Sequence, residues 1–309
     1  MCSPAVVCRA LRCSRPALFL NGGTELPAVQ GAGISVLTHA ELQDWVSQAL
    51  REVGAEAVSG EGSLDAVRAV HSEIFVRAVS KRREALLAAA VAEAALARGR
   101  AVFYTGGTIM AGFHAPRMGH AFNAAAYIAR RAGAAVVSID LHFPRGTWEL
   151  HLEHAFPLLV VYGGVDGPSF GHLVRRGHAV VPLPLPPGAG DESLVRVLAP
   201  AIDAAGEPLV VQLGFDIHRD DPTGYLFASE LFFYELGRLL SGRAFFISVE
   251  CPSTPSVFKR SIAALLAGLR GSEPPRVEPH KEGRKVVEEV RRVAGRARKL
   301  LERLRRRER

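Results

Sequence analysis

Two short segments place carboxylates and an imidazole where a metal could be held. Asp140-Leu141-His142 directly follows the apolar run Ala134–Ile139, and Gly214-Phe215-Asp216 directly follows Leu209–Leu213. Short unbroken runs of valine, leucine and isoleucine are expected to be strands buried on both faces of a parallel sheet. In open parallel sheets, ligands bind just beyond the carboxyl ends of the strands. Asp140, His142 and Asp216 are therefore expected to converge on one sheet edge. Asp140 and His142 are two residues apart, so an extended chain turns both to one side. Two oxygen donors and one nitrogen donor suit a divalent metal with a fourth position left for water. Two plainer readings stay open at this point: Asp140 could cap the following helix, and His142 could be a hydrogen-bonded core residue.

The elements that must position these residues alternate along the chain. The expected strands are Ala101–Thr105, Ala134–Ile139, Leu158–Tyr162, Ala179–Pro182, Leu209–Leu213 and Ala244–Val249. Helical patterns fall near 40–53, 63–79, 81–98, 121–132, 192–205, 227–241 and 255–269. The alternation predicts an α/β fold with a mostly parallel sheet and helices on both faces. One boundary is marked, at Gly271-Ser-Glu-Pro-Pro275, where two prolines stop a helix. The expected organisation is an α/β domain over 1–270, then a linker and basic helical tail over 271–309. In the tail, Val286, Val290, Val293, Ala297, Leu300 and Leu304 repeat at spacings of four and three, which predicts an amphipathic helix over 284–304.

Composition narrows the function classes. The 309 residues carry a net charge of +7, but its location matters more than its size. From Arg276 to Arg309 there are 14 Lys and Arg against 6 acidic residues, while the remainder has 24 basic and 25 acidic residues. Polyanion binding, nucleic acid included, is thus an expectation for the tail alone. The stripe of the tail helix is expected to dock on its own domain or to pair with a second copy as a homodimer. No apolar run approaches the roughly 20 residues of a membrane helix, and the first residues lack a secretory pattern. A cytoplasmic protein with no membrane partner is expected. Cys2, Cys8, Cys13 and Cys251 match no common zinc spacing and are expected to be reduced thiols. Amides are scarce, with two Asn and four Gln in the chain.

Further words along the chain carry a resemblance. Gly214-Phe-Asp216, then His218-Arg-Asp-Asp-Pro-Thr-Gly224, is similar to a Gly-Phe-Asp-x-His-x-x-Asp-Pro-x-Gly segment. Pro184-Leu-Pro-Pro-Gly-Ala-Gly-Asp-Glu192 is similar to a Pro-Leu-Pro-Pro-Gly-x-Gly-Asp loop, and Val70-His-Ser-Glu-Ile-Phe75 to an early Val-His-x-x-x-Tyr/Phe word. Phe113-His-Ala115, Gly119 and Phe122-Asn123 resemble a His-His-Ala…Gly-Phe-Cys…Phe-Asn-Asn stretch. Taken along the chain, these words fall in family order, and over roughly residues 65 to 270 the chain resembles the histone deacetylase, acetoin-utilisation and acetylpolyamine amidohydrolase family. The resemblance implies an arginase-like fold and Zn2+ held by Asp140, His142 and Asp216. It implies His114 as general base and acid, and an acylated amine as substrate: acetyl-lysine in an acetylated protein, an acetylpolyamine or a small amide.

The chain departs from the family where the chemistry would lie. Phe113 replaces the first of the paired histidines, and Ser138 replaces the carboxylate that orients it. Arg145 stands where a residue supporting the second histidine is expected, and His120 replaces a tunnel phenylalanine. Glu250-Cys-Pro-Ser253 stands where Glu-Gly-Gly-Tyr is expected, so the tyrosine that polarises the carbonyl is absent there. Tyr104 and His120 are candidates to substitute for it. One oxyanion donor is worth on the order of a hundredfold in rate. The sequence thus predicts a zinc-dependent deacetylase-type hydrolase, with a catalytically impaired binding or regulatory protein as the alternative.

Overall fold

The computed structural model describes residues 17–20, 39–57, 62–164 and 180–307. In chain order the elements are β1 (Ala17–Leu20), α1 (His39–Glu52), β2 (Glu56–Ala57), α2 (Leu64–Arg68), α3 (Glu73–Val79), α4 (Arg83–Arg98), β3 (Ala101–Tyr104), α5 (Ala124–Ala132) and β4 (Ala135–Ile139). There follow α6 (Arg145–His154), β5 (Leu158–Gly163), β6 (Val180–Leu185), α7 (Asp191–Ala205), β7 (Leu209–Leu213), α8 (Glu230–Leu240), β8 (Phe245–Val249), α9 (Pro255–Arg270) and α10 (Arg284–Arg307). The strands form one sheet in the order β2-β1-β3-β8-β7-β4-β5-β6. Every neighbouring pair is parallel.

The sheet separates two cores, which explains the unbroken apolar runs. Ala135, Val137 and Ile139 of β4 enter one core with Phe232, Phe258 and Leu194. Val136 enters the other with Phe103, Phe122 and Phe143. Residues facing either side must be apolar, so alternation disappears. All six expected strands are present, with ends shifted by a few residues. β1 and β2 were not anticipated: the short apolar run of β1 was not read as a strand, and β2 has only two residues, too few to carry a period.

The single helix expected over 63–79 is two helices. Ser72 caps α3, its hydroxyl accepting from Phe75 N, and the break turns His71 inward. His71 is buried and stacks on Phe75 at 3.7 Å. Its Nδ1 donates to Gly112 O at 2.8 Å and its Nε2 accepts from Asn123 N at 3.1 Å. Burial, first of all, pulls its pKa from 6.5 to about 3, against the Gly112 bond and with a small push from His154. In the unfolded chain the ring takes up a proton near 6.5. Its contribution to stability is therefore complete above that pH and is lost as pH falls towards 3. Across that window stability should fall by up to about 1.4 kcal/mol per pH unit on account of this one ring. Urea midpoints of wild type and His71→Gln compared between about pH 6 and 4 check it; equal slopes would assign the acid sensitivity to other groups.

α6 was also missed. It begins after Pro144 with no side-chain cap and buries Gly146, Thr147, Leu150 and His151, a face without the usual apolar stripe. His151 and His154 of this helix bond to the backbone carbonyls of Phe156 and Val70. His172, His178, Cys2, Cys8 and Cys13 lie outside the described residues.

The tail helix α10 packs on α7 and β6. Val290, Val293 and Ala297 of the stripe are buried in the core that contains β4's Ile139, so the apolar face docks on its own domain. The side chains of Leu300 and Leu304 lie outside the described residues. The segment between α9 and α10 is fastened along its length. Tyr234 Oη donates to Ser272 O, and His280 stacks on Phe227. Glu282 accepts from Ser193 N at 3.0 Å, which gives α7 the cap its own Gly190 does not supply. Among the described residues no helix is long and apolar enough to cross a membrane.

Candidate metal centre

β8, β7 and β4 are adjacent and end level. Ile139 pairs with Leu213, and Leu213 with Val249. The next residues are Asp140, Gly214 and Glu250. The middle one must be glycine: a Cβ on Gly214 would lie 2.2 Å from Asp140 Oδ2 and 2.7 Å from Asp216 Oδ1. The missing side chain leaves a hollow at the carboxyl edge, into which the carboxylates of Asp140 and Asp216 lean.

Four side chains meet there: Asp140, His142, Asp216 and Cys251, with one donor atom of each within 4.8 Å of the others. His142 Nδ1 lies 3.1 Å from Asp140 Oδ1 and 2.9 Å from Asp216 Oδ2. Asp140 is fully buried and Asp216 nearly so, whereas the His142 side chain is 44% exposed. The backbone fixes the carboxylates: His142 N donates to Asp140 Oδ1 at 2.9 Å, and Leu141 N to Asp216 Oδ1 at 3.2 Å. Both plainer readings of these residues therefore give way. Asp140 does not cap α6, whose N-cap is Pro144, and His142 is not a core residue.

The donor set fits a divalent cation. Asp140 Oδ2 is buried with no hydrogen-bond partner, a costly state that a metal would relieve. With no cation present, burial and then the Asp216 charge raise Asp140 to about 7. Hydrogen bonds to Asp140 and Asp216 raise His142 to about 11, against its burial. Burial, followed by Asp140, Asp216 and Glu250, pushes the Cys251 thiol well up. Metal binding must displace these protons, so affinity rises with pH.

Cys251 was missed as a site residue. Cysteine spacing looks for ligands near one another in sequence, and this one arrives from a third strand. Its signal was its place, two residues past the end of β8.

A buried polar network lies behind the cluster. Glu250 accepts from Thr108 N at 2.7 Å, Thr108 Oγ1 at 2.5 Å, Ile109 N at 3.3 Å and Ser248 Oγ at 2.7 Å. Gln212 Nε2 donates to Thr108 Oγ1 and Thr147 Oγ1, and Asn123 Nδ2 to Thr147 Oγ1 and to two carbonyls of the same loop. Two of the chain's few amides are thus used to fasten the loop after β3 to β7 and α6, while Glu250 fastens it to β8.

The groups expected to do proton transfer and polarisation are placed differently. His114 is exposed and lies outside the cluster, its Nδ1 3.0 Å from Ser72 Oγ. His120 is half-buried; its Nδ1 accepts from Met110 N, and its ring packs where a Cβ on Gly107 would sit. Ser253 adopts a φ of +63° and donates to Asp221 Oδ2 at 2.5 Å, bracing the Asp221-Pro-Thr-Gly224 turn. Tyr104 is buried at the end of β3, its hydroxyl pKa raised by burial and by Glu250 and Cys251 nearby.

No family model matches the chain, and no curated protein matches it. Among solved structures it is similar to the crystal structure of the HDA15 HD domain, a histone deacetylase, with a TM-score of 0.72 and 18% identity. The match covers 92% of this chain and 97% of that one. The chain has the histone deacetylase fold.

Proposed function

We propose that the chain is a zinc-dependent hydrolase of deacetylase type acting on an acylated amine: acetyl-lysine in a protein, an acetylpolyamine or a small amide. The observation that carries this reading is the meeting of Asp140, His142 and Asp216 beyond two level, adjacent strand ends. Bound there, zinc would supply an activated water and a polarised acyl carbonyl. Asp140 and Asp216 give the cluster its negative charge, and half-exposed His142 leaves it accessible from solvent. His114 is assigned the proton transfer, which requires its ring to leave Ser72; His120, on the same loop, is the alternative. A reducing cytoplasm, which keeps Cys251 a thiol, belongs to this reading.

A second reading is favoured by a specific observation. Ser253 is committed to Asp221, and Phe113 and Ser138 offer no histidine–carboxylate pair. A protein that holds its metal and binds a ligand without turnover fits these residues. Metal analysis of metal-replete protein, followed by turnover on a peptide, a polyamine and a small amide, each acetylated, decides. About one equivalent of zinc with hydrolysis supports the first reading, and one equivalent without hydrolysis the second. Less than half an equivalent sinks both.

A further inference from the structure

We infer that Cys251 is a fourth protein ligand to the metal, so that the set Asp140, His142, Asp216 and Cys251 closes the site. The inference rests on the metal reading above. Three protein ligands leave a position for reacting water, whereas four complete a closed tetrahedral set.

Cys251 Sγ lies 3.8 Å from Asp140 Oδ1 and 3.9 Å from His142 Nδ1. Built on usual zinc bond lengths, a tetrahedron has edges of about 3.6 Å from sulfur to nitrogen or oxygen, and about 3.4 Å between the lighter donors. The sulfur edges are within a few tenths of an ångström of this. The observed 2.9 and 3.1 Å from His142 Nδ1 to the carboxylates need to open only slightly. The backbone holds the sulfur in place: Phe215 N donates to Cys251 O at 2.6 Å, and Pro252 restricts the residue before it. Asp140 Oδ2, the second oxygen of that carboxylate, and Asp216 Oδ2 are both buried without a hydrogen bond, an independent sign that a cation belongs here.

The sulfur changes what the site takes and does. A thiolate among oxygen and nitrogen donors favours zinc, and cobalt as its stand-in, over magnesium, calcium or manganese. It also fills the position that an attacking water would need. The chain then holds its metal as a closed centre, and hydrolysis becomes possible only when Cys251 gives up its place.

Cobalt(II) added to the full-length protein tests this. Wild type should bind one equivalent with a sulfur-to-cobalt charge-transfer band in the near ultraviolet. Cys251→Ala should still bind one equivalent, without the band. One bound equivalent with no band, or a band that survives in Cys251→Ala, overturns the assignment and leaves the three-ligand reading standing. No cobalt bound to either protein overturns both. A second measurement needs no variant: iodoacetamide labelling of Cys251, followed by mass spectrometry, should slow about tenfold or more with one equivalent of zinc. An unchanged labelling rate at full zinc occupancy counts against the ligand.

Discussion

Asp216→Ala should lose the metal and keep the fold. The carboxylate has two roles: Oδ2 faces His142 Nδ1 at 2.9 Å, and Oδ1 accepts from Leu141 N. Loss of a partner that merely orients a ligand already costs about 10- to 100-fold in metal affinity. Loss of a ligand should cost more than the upper end of that range. Its removal also takes away a charge that opposes ionisation of buried Asp140, so the metal-free protein should be little destabilised. Zinc at a hundred times its dissociation constant stabilises a fold by about 2.7 kcal/mol. Wild type should therefore show a Tm that climbs with zinc, and Asp216→Ala a Tm that does not respond. A variant that keeps the full zinc response would remove Asp216 from the ligand set.

Glu250→Ala should be the most damaging single substitution for stability in this part of the molecule. It leaves the Thr108 and Ile109 amides and the Thr108 and Ser248 hydroxyls without their shared acceptor. Each buried group left unpaired costs about 1–3 kcal/mol, and the whole fold is worth about 5–15 kcal/mol. A loss of several kcal/mol is expected, read from urea denaturation. Glu250→Gln keeps one carbonyl oxygen but turns an amide towards donors, and should fall between the two. A loss under about 1 kcal/mol in Glu250→Ala would mean that water replaces the carboxylate as partner for these groups.

The parts of this molecule that could be read from its sequence are those in which one physical rule acts alone. The six expected strands announced themselves because burial on both faces demands an unbroken apolar run. Asp140, His142 and Asp216 followed from looking at the ends of two of these runs. Cys251 was hidden because the sheet order places β8 beside β7 although α8 and its loops separate them in sequence. The same look at the end of the third run would have found it. The break at His71 follows from a serine followed by an acid, a helix start inside what reads as one continuous helix. The ring of His114 turns towards Ser72, a rotamer choice set by a neighbour 42 residues away that no local pattern records.

The ends of the sheet bear on how this chain behaves in company. Parallel strands at an edge offer their free amides and carbonyls to any other strand, and exposed edges invite copies to stack into growing sheets. Among the described residues, one border is β2, only two residues long and too short a template. The other is β6, six residues that include Pro182 and Pro184, each lacking an amide to offer. Against β6 lies the arginine-rich α10. The tail is thus a sentinel at the vulnerable border, and its positive charge would oppose the approach of a like-charged copy there. A chain cut back to residue 275 should keep its metal-binding residues and lose its solubility first.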